Sequence, residues 1–250
     1  MERFIAHDGV SIAYYTWGEA ETGPLVVLHH GFAANAQANW VGAGIVDAFV
    51  SAGRRVLAVD ARGHGQSDKP HDPAAYGEAT MARDLIGLID KIGAKVYDLV
   101  GYSMGAIVSL LVATQDRRIR RLAVGGVGEG VIVCGGVDRR VLPTDAIAVA
   151  LEGGAGGPAA GAMAAFVDAM GGDRKAMAAQ ARAAHATPIA LDRITVPTLV
   201  FAGDVDPLAM RPEVLASAIP GAKLERLSGD HLRALRDPRC KTALLSHVAV

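Results

Sequence analysis

Cysteine and net charge are the two things this sequence has least of. Cys134 and Cys240 are the only thiols in 250 residues, and they stand far apart in no metal or redox spacing. That argues against a disulfide framework. No His, Cys and Glu grouping has the spacing of a metal site either. A formal net charge of -1 supplies no basic field for nucleic acid or an anionic membrane. The first residues, Met1 to Asp8 in sequence, lack the charged start and apolar run of a signal peptide. The charge-free stretch 99–115 is not read as a membrane span, because a glycine-flanked turn interrupts it. No internal repeat is visible. The expectation is a cytoplasmic protein that handles a small molecule, with no cofactor, no metal and no nucleic-acid or membrane partner; the oligomeric state is left open.

What is present is apolar material. Hydrophobic residues make up 51% of the chain and charged residues 20%, enough for a sizeable core. The length allows one large α/β domain with an insertion, or two small domains. One stretch organises the rest: Gly101, Tyr102, Ser103, Met104 and Gly105, a G-x-S-x-G sequence. A serine at a sharp strand-to-helix turn has its hydroxyl pushed out at the top of a sheet, and the small flanking residues let neighbouring backbone approach. The context fits. Val96, Tyr97, Leu99 and Val100 read as a buried strand, and 106–113 is apolar on nearly every face, as a helix sunk against a sheet would be.

Strands are expected at 2–6 and 10–17, with short, continuously apolar ones at 25–28 and 56–59, the mark of a parallel sheet buried on both faces. Between them 36–50 suits a helix. Thr80 is expected to cap a helix that runs to Ile92 and stops at Gly93. Arg117, Arg118, Arg120 and Arg121 read as a solvated loop before the next strand, 122–124. From 129 to 190 the texture turns to Ala and Gly, with Phe166 as the one aromatic side chain. Three short helices are expected there, near 145–151, from Pro158 to Gly171, and from Asp173 to before Pro188. Strands resume at 196–203 and 223–227, with helices at 212–218 and from Pro238 on. Alternating strands and helices argue for a doubly wound, mostly parallel sheet.

With these motifs in hand the chain resembles α/β-hydrolase-fold proteins with a serine nucleophile and a small helical cap. The resemblance is carried by the elbow, by His30-Gly31 after a strand, and by Asp60-x-Arg62-Gly63-x-Gly65-x-Ser67-Asp68. Gly203-x-x-Asp206 and Gly229-x-His231 complete it. It implies an eight-stranded sheet, with a core of 1–128 and 191–250 and a cap of 129–190 that closes over the serine and selects the acyl group. It also implies a triad of Ser103 as nucleophile, His231 as base and Asp206 as the acid that orients it, in the fold's chain order. Asp204 and Glu129 are the rival acids. The backbone N–H groups of Phe32 and Met104 are the implied oxyanion donors. Phe32, Met163 and Phe166 are candidates for the pocket wall, and Ala165 for a position facing its volume.

Aspartate would stand at the elbow in dehalogenases and epoxide hydrolases of similar fold, so serine disfavours both. The expected activity is hydrolysis of a small or medium apolar ester, thioester or lactone through an acyl-enzyme. C–C bond hydrolysis, perhydrolysis and cyanohydrin cleavage on the same triad remain open, as does a weakly catalytic small-molecule receptor.

Overall fold

A computed structural model describes residues 1–249; Val250, the last residue of the expected core, lies outside the described residues. The elements in chain order are β1 (Glu2–Ile5), β2 (Ser11–Trp17), β3 (Leu25–His29), α1 (Ile45–Ser51), β4 (Val56–Val59), α2 (Glu78–Ile92), β5 (Tyr97–Tyr102), α3 (Met104–Ala113) and β6 (Ile119–Gly125). Four helices follow, α4 (Gly130–Cys134), α5 (Thr144–Leu151), α6 (Gly157–Ala169) and α7 (Arg174–Arg182). The chain closes with β7 (Thr198–Gly203), α8 (Pro212–Ala218), β8 (Lys223–Leu227) and α9 (Pro238–Val248). Among the described residues the eight strands form one sheet in the order β1-β2-β4-β3-β5-β6-β7-β8. From β4 to β8 neighbours run parallel, and β2 is antiparallel to both β1 and β4. This is the doubly wound, mostly parallel α/β sheet expected from the sequence.

Apolar strands such as Leu25–His29 and Val56–Val59 are buried along their whole length because helices cover both faces. One core, containing Leu85, Ile89, Val108 and Leu215, lies under α2, α3 and α8. The other, with Trp40, Phe49, Phe201 and Leu244, lies under α1 and α9. Among the described residues no helix is long and apolar enough to cross a membrane.

Three local expectations are corrected. The helix expected over 36–50 is broken: a π-helical turn at Gln37–Val41 ends at Gly42, and Gly44 adopts φ 68° before α1 begins. A left-handed residue cannot sit inside a helix, and glycine adopts it without strain. Helix α2 starts two residues earlier than Thr80, behind Gly77 at φ 103°, so Thr80 accepts a hydrogen bond from Arg83 and does not cap. This shift places Glu78 in the first turn. The four arginines do not form one solvated loop: Arg117 is exposed in a turn, but Arg120 and Arg121 lie in β6. Arg120 sits in β6 and pairs with Asp98 at 2.6 Å, while Arg118 pairs with Asp116 at 2.8 Å and Asp90 at 2.6 Å. Asp98 is fully buried in β5 and also pairs with Arg54. The helix α4, between β6 and α5, was not expected.

The glycine-rich loop after β4 is built on two buried charged residues. Asp60 accepts the amides of Ala36 and Gln66, both at 2.8 Å. The Arg62 guanidinium is sealed from solvent and clamps Asp84 through two 2.7 Å hydrogen bonds, with Asp8 and the Ala75 carbonyl as further acceptors. Removing one partner of a buried pair strands the other. Arg62→Leu is therefore expected to cost about 3–5 kcal/mol in chemical denaturation at pH 7. Burial already pushes the Asp84 carboxyl up. The deficit should shrink on acidification, as the orphaned carboxyl takes a proton; a deficit that is flat with pH would show that Asp84 is not what Arg62 stabilises.

Candidate active site

Four loops at the C-terminal edge of the sheet converge, the edge at which open α/β sheets bind ligands. They follow β3, β5, β7 and β8. The first element is the turn from β5 into α3. Ser103 has φ 57° and ψ -118°, outside the common L-residue regions. Its amide donates to the Gly125 carbonyl at 2.8 Å, and its carbonyl accepts from Ala106 at 2.9 Å, so both neighbours pin the strained residue. Glycine is required on either side. A Cβ at Gly105 would strike the His29 carbonyl, and one at Gly101 would strike the Gly105 carbonyl.

The loop after β8 brings His231 to this turn. Its Nε2 accepts from the Ser103 hydroxyl at 3.0 Å, and its Nδ1 donates to Asp206 at 2.8 Å. Asp206 follows β7 and is 4% exposed, so the carboxylate that fixes the imidazole tautomer is shielded from water. The sequence did not single out Tyr102 for this site. Its hydroxyl donates to the His231 carbonyl at 2.7 Å, and its ring packs on the imidazole with centroids 5.2 Å apart. The signal was its place inside the pentapeptide, read only as spacing.

The rival acids lie in other contacts. Asp204 accepts the Gly229 amide at 2.9 Å and so ties the β7 and β8 loops together. Glu129 pairs with Arg140 at 3.0 Å and Arg211 at 2.9 Å. His231 has its bond to Asp206 and none to either of these among the described residues.

The loop after β3 carries Phe32. Gly31 is held by its amide, which donates to Asn39 at 2.8 Å. His30, wholly buried, donates from Nδ1 to the Gly31 carbonyl at 2.8 Å and accepts the Ala61 amide on Nε2 at 2.9 Å. Protonation would set an N–H against the Ala61 N–H. Burial accordingly lowers His30 to about 3, and His29 and His64 to about 4 and about 3. These are neutral framework histidines. Neither the Phe32 nor the Met104 amide donates to another group among the described residues, and Met104 is the first residue of α3. Two N–H groups beside a serine hydroxyl, one at a helix start, suit an oxyanion.

Two cavities meet at Ser103. The larger, about 450 Å3, is lined by Phe32, His231, Leu235 and Arg236 from the core and by Ala162, Met163, Phe166 and Met170 from the α6 segment. All three expected wall residues, Phe32, Met163 and Phe166, line it. Ala165 does not: it is on the outer face of α6, exposed. The helical period alone left that face undetermined. The smaller cavity, about 40 Å3, is roofed by α5 and α7 and lined by Phe32, Ser103, Met104, Ile107 and Leu142 together with Thr144, Gln180 and Glu78. Sequence reasoning missed the last three, because nothing local marks a polar side chain as buried.

A family model described as the alpha/beta hydrolase fold matches residues 24–127. Part of the chain is 42% identical over 98 residues to an sn-1-specific diacylglycerol lipase of Mus musculus, covering 39% of this chain and 30% of that one. Another match is epoxide hydrolase A of Mycobacterium tuberculosis, 37% identical over 107 residues, covering 43% and 32%. The matched stretches thus span about a third of the length of these curated relatives. Over the whole chain the fold is similar to a solved hydrolase from Pseudomonas aeruginosa, with a TM-score of 0.76 and 28% identity, covering 100% of this chain and 98% of that one.

Burial pushes the Glu78 carboxyl up to about 7, against hydrogen bonds from the His185 amide and its own amide and the pull of Arg139. Its stabilising contribution is therefore fully present below its unfolded value near 4.5 and is lost as pH rises through 7. Glu78→Gln abolishes that loss and still offers an acceptor to His185. The stability of the variant relative to wild type is expected to rise by roughly 3 kcal/mol between pH 4.5 and pH 8. Parallel denaturation curves at the two pH values would rule this out.

Proposed function

We propose that this chain, which has the α/β-hydrolase fold, is a serine hydrolase acting on small or medium apolar esters, thioesters or lactones. The observation that carries this reading is the continuous hydrogen-bond chain from the Ser103 hydroxyl through His231 to buried Asp206. A serine hydroxyl is a weak nucleophile until a base stands within reach, and the base needs its tautomer fixed. In this reading Ser103 attacks the carbonyl carbon as His231 Nε2 takes its proton. The oxyanion forms between the Phe32 and Met104 amides. His231, stabilised as imidazolium by Asp206, then protonates the departing oxygen or sulfur. A water deprotonated by His231 cleaves the acyl-enzyme by the same path in reverse. The larger cavity is mostly apolar and its wall includes the general acid, so the leaving group occupies it.

Serine at the elbow separates this reading from the epoxide hydrolase match, whose fold relatives use aspartate there. The helices between β6 and β7 act as a cap in this reading, since α6 lines the larger cavity and α5 and α7 roof the smaller one.

A fluorophosphonate probe is expected to label Ser103, and Ser103→Ala to lower kcat on p-nitrophenyl esters by roughly a millionfold. Asp206→Asn should cost about ten-thousandfold through the wrong histidine tautomer. Glu129→Gln and Asp204→Asn should stay within about tenfold of wild type. A crippled Glu129→Gln enzyme with an active Asp206→Asn enzyme would reverse the assignment. Ala162→Trp fills the larger cavity, and should lower kcat/KM for bulky alcohol esters more than for methyl esters, by a graded amount of about 1–3 kcal/mol. Equal losses across the alcohol series would remove α6 from the specificity-determining wall.

A further inference from the structure

The smaller cavity beside Ser103 has polar groups in its wall for which the reaction above has no use. Glu78, in the first turn of α2, is 3% exposed; Gln180 on α7 is 1% exposed; Thr144, at the start of α5, is 6% exposed. These three share the cavity with Phe32, Ser103 and Met104. Buried polar groups are ordinarily paired. Here the pairing is incomplete. Glu78 accepts the His185 amide on one oxygen at 2.7 Å, and Gln180 accepts the Gly77 amide on its carbonyl at 3.2 Å. The Gln180 amide nitrogen donates to no group among the described residues. A pocket for a plain alkyl chain has no reason to bury a carboxyl, an amide and a hydroxyl in its wall.

The position of the cavity says which part of a substrate would meet them. His231 lines the larger cavity and does not line this one. The group protonated by His231 departs on the His231 side, so the acyl group held on Ser103 is left to extend the other way. A volume of about 40 Å3 is roughly three times the 10–15 Å3 that one water needs, so it admits a chain end of a few heavy atoms.

We propose that the smaller cavity is the acyl site and that Glu78 and Gln180 together select a short acyl group bearing a neutral hydroxyl or amide a few atoms from the carbonyl. This rests on the hydrolase reading of Ser103 and narrows it. The partners are complementary: Glu78 offers an acceptor, the Gln180 NH2 a donor, and a hydroxyl satisfies both at once. Burial favours the uncharged carboxyl, which suits a neutral partner better than an ammonium. Recognition of this kind is sharp, because an analogue lacking the hydroxyl leaves buried polar groups unpaired.

The test uses an isosteric pair, p-nitrophenyl 3-hydroxybutanoate and p-nitrophenyl 3-methylbutanoate, which differ by a hydroxyl in place of a methyl. Wild type is expected to favour the hydroxy ester at least tenfold in kcat/KM. Glu78→Leu should invert the preference, and Glu78→Gln should keep most of it. Gln180→Leu tests the same pocket from the other helix, should Glu78→Leu fail to fold. A wild-type ratio near one, or one favouring the methyl ester, overturns the proposal, as does a ratio unmoved by both leucine variants. Fluorophosphonate labelling of Ser103 separates the two levels. Labelling with no hydroxy preference overturns the acyl-site proposal alone, whereas no labelling and no ester hydrolysis overturns the hydrolase reading and this proposal with it.

Discussion

The passage of α3 under the ends of β3 and β5 is the constraint on which the rest depends. The helix begins so close to the sheet that its second residue must lack a Cβ, because the His29 carbonyl occupies that space. The only way to leave β5 and enter a helix at that depth is a turn with positive φ at Ser103. Strain of this kind costs on the order of 1–3 kcal/mol and persists where surrounding contacts over-determine it. Here they do: α3 is buried at all ten of its residues, and the Ser103 amide is tied to the neighbouring strand β6. Apolar burial of the helix therefore stabilises a turn that the serine would not adopt alone. What the strain yields is position, since a hydroxyl standing off the sheet edge is within reach of loops from three other strands.

Those loops are held by polar groups in place of apolar ones. Asp60 fixes the loop after β4 and, through the Ala36 amide, the segment following Phe32. His30 bridges the same two loops with both ring nitrogens engaged. Asn39 holds Gly31, Tyr102 holds the His231 carbonyl, and Asp204 holds Gly229. Each of these bonds is worth about 1 kcal/mol net, and those to the carboxylates somewhat more. Together they hold in place the loops that carry Phe32, Asp206 and His231, with a directionality that hydrophobic contacts lack. Directional bonds at the sheet edge and non-directional burial beneath it divide the work of building the site.

That division explains what was legible in the sequence. The sheet, the turn at Ser103 and the placing of Asp206 and His231 at strand ends were readable, because glycine spacing and unbroken apolar runs are local signals of backbone geometry. The starts of α1 and α2 were misplaced where a glycine at positive φ, Gly44 or Gly77, set the boundary instead of a capping side chain. Arg120 of β6 and Arg118 just before it were read as solvated because their partners, Asp98 from β5 and Asp90 from α2, are distant in sequence. Glu78 was invisible for the same reason. Nothing nearby says that α7 and the His185 segment fold over it.

The two cavities follow from where the helices between β6 and β7 come down. Were they to cover Ser103 symmetrically, one chamber would serve both halves of a substrate. Instead α6 stands off the core and leaves a wide, mostly apolar space beside His231, while α5 and α7 press onto Phe32, Ile107 and Leu142. The close approach of α7 has a polar cost, since Gln180 and Glu78 are buried by it. A helix rich in alanine can come that near because its side chains are small; Ala176, Ala178, Ala179 and Ala181 are all buried against the core. The alanine-rich texture of this region is thus what makes the second chamber narrow. Narrowness in turn makes its polar lining matter, because in a space of a few atoms one mismatched group leaves no room for water to repair the pairing.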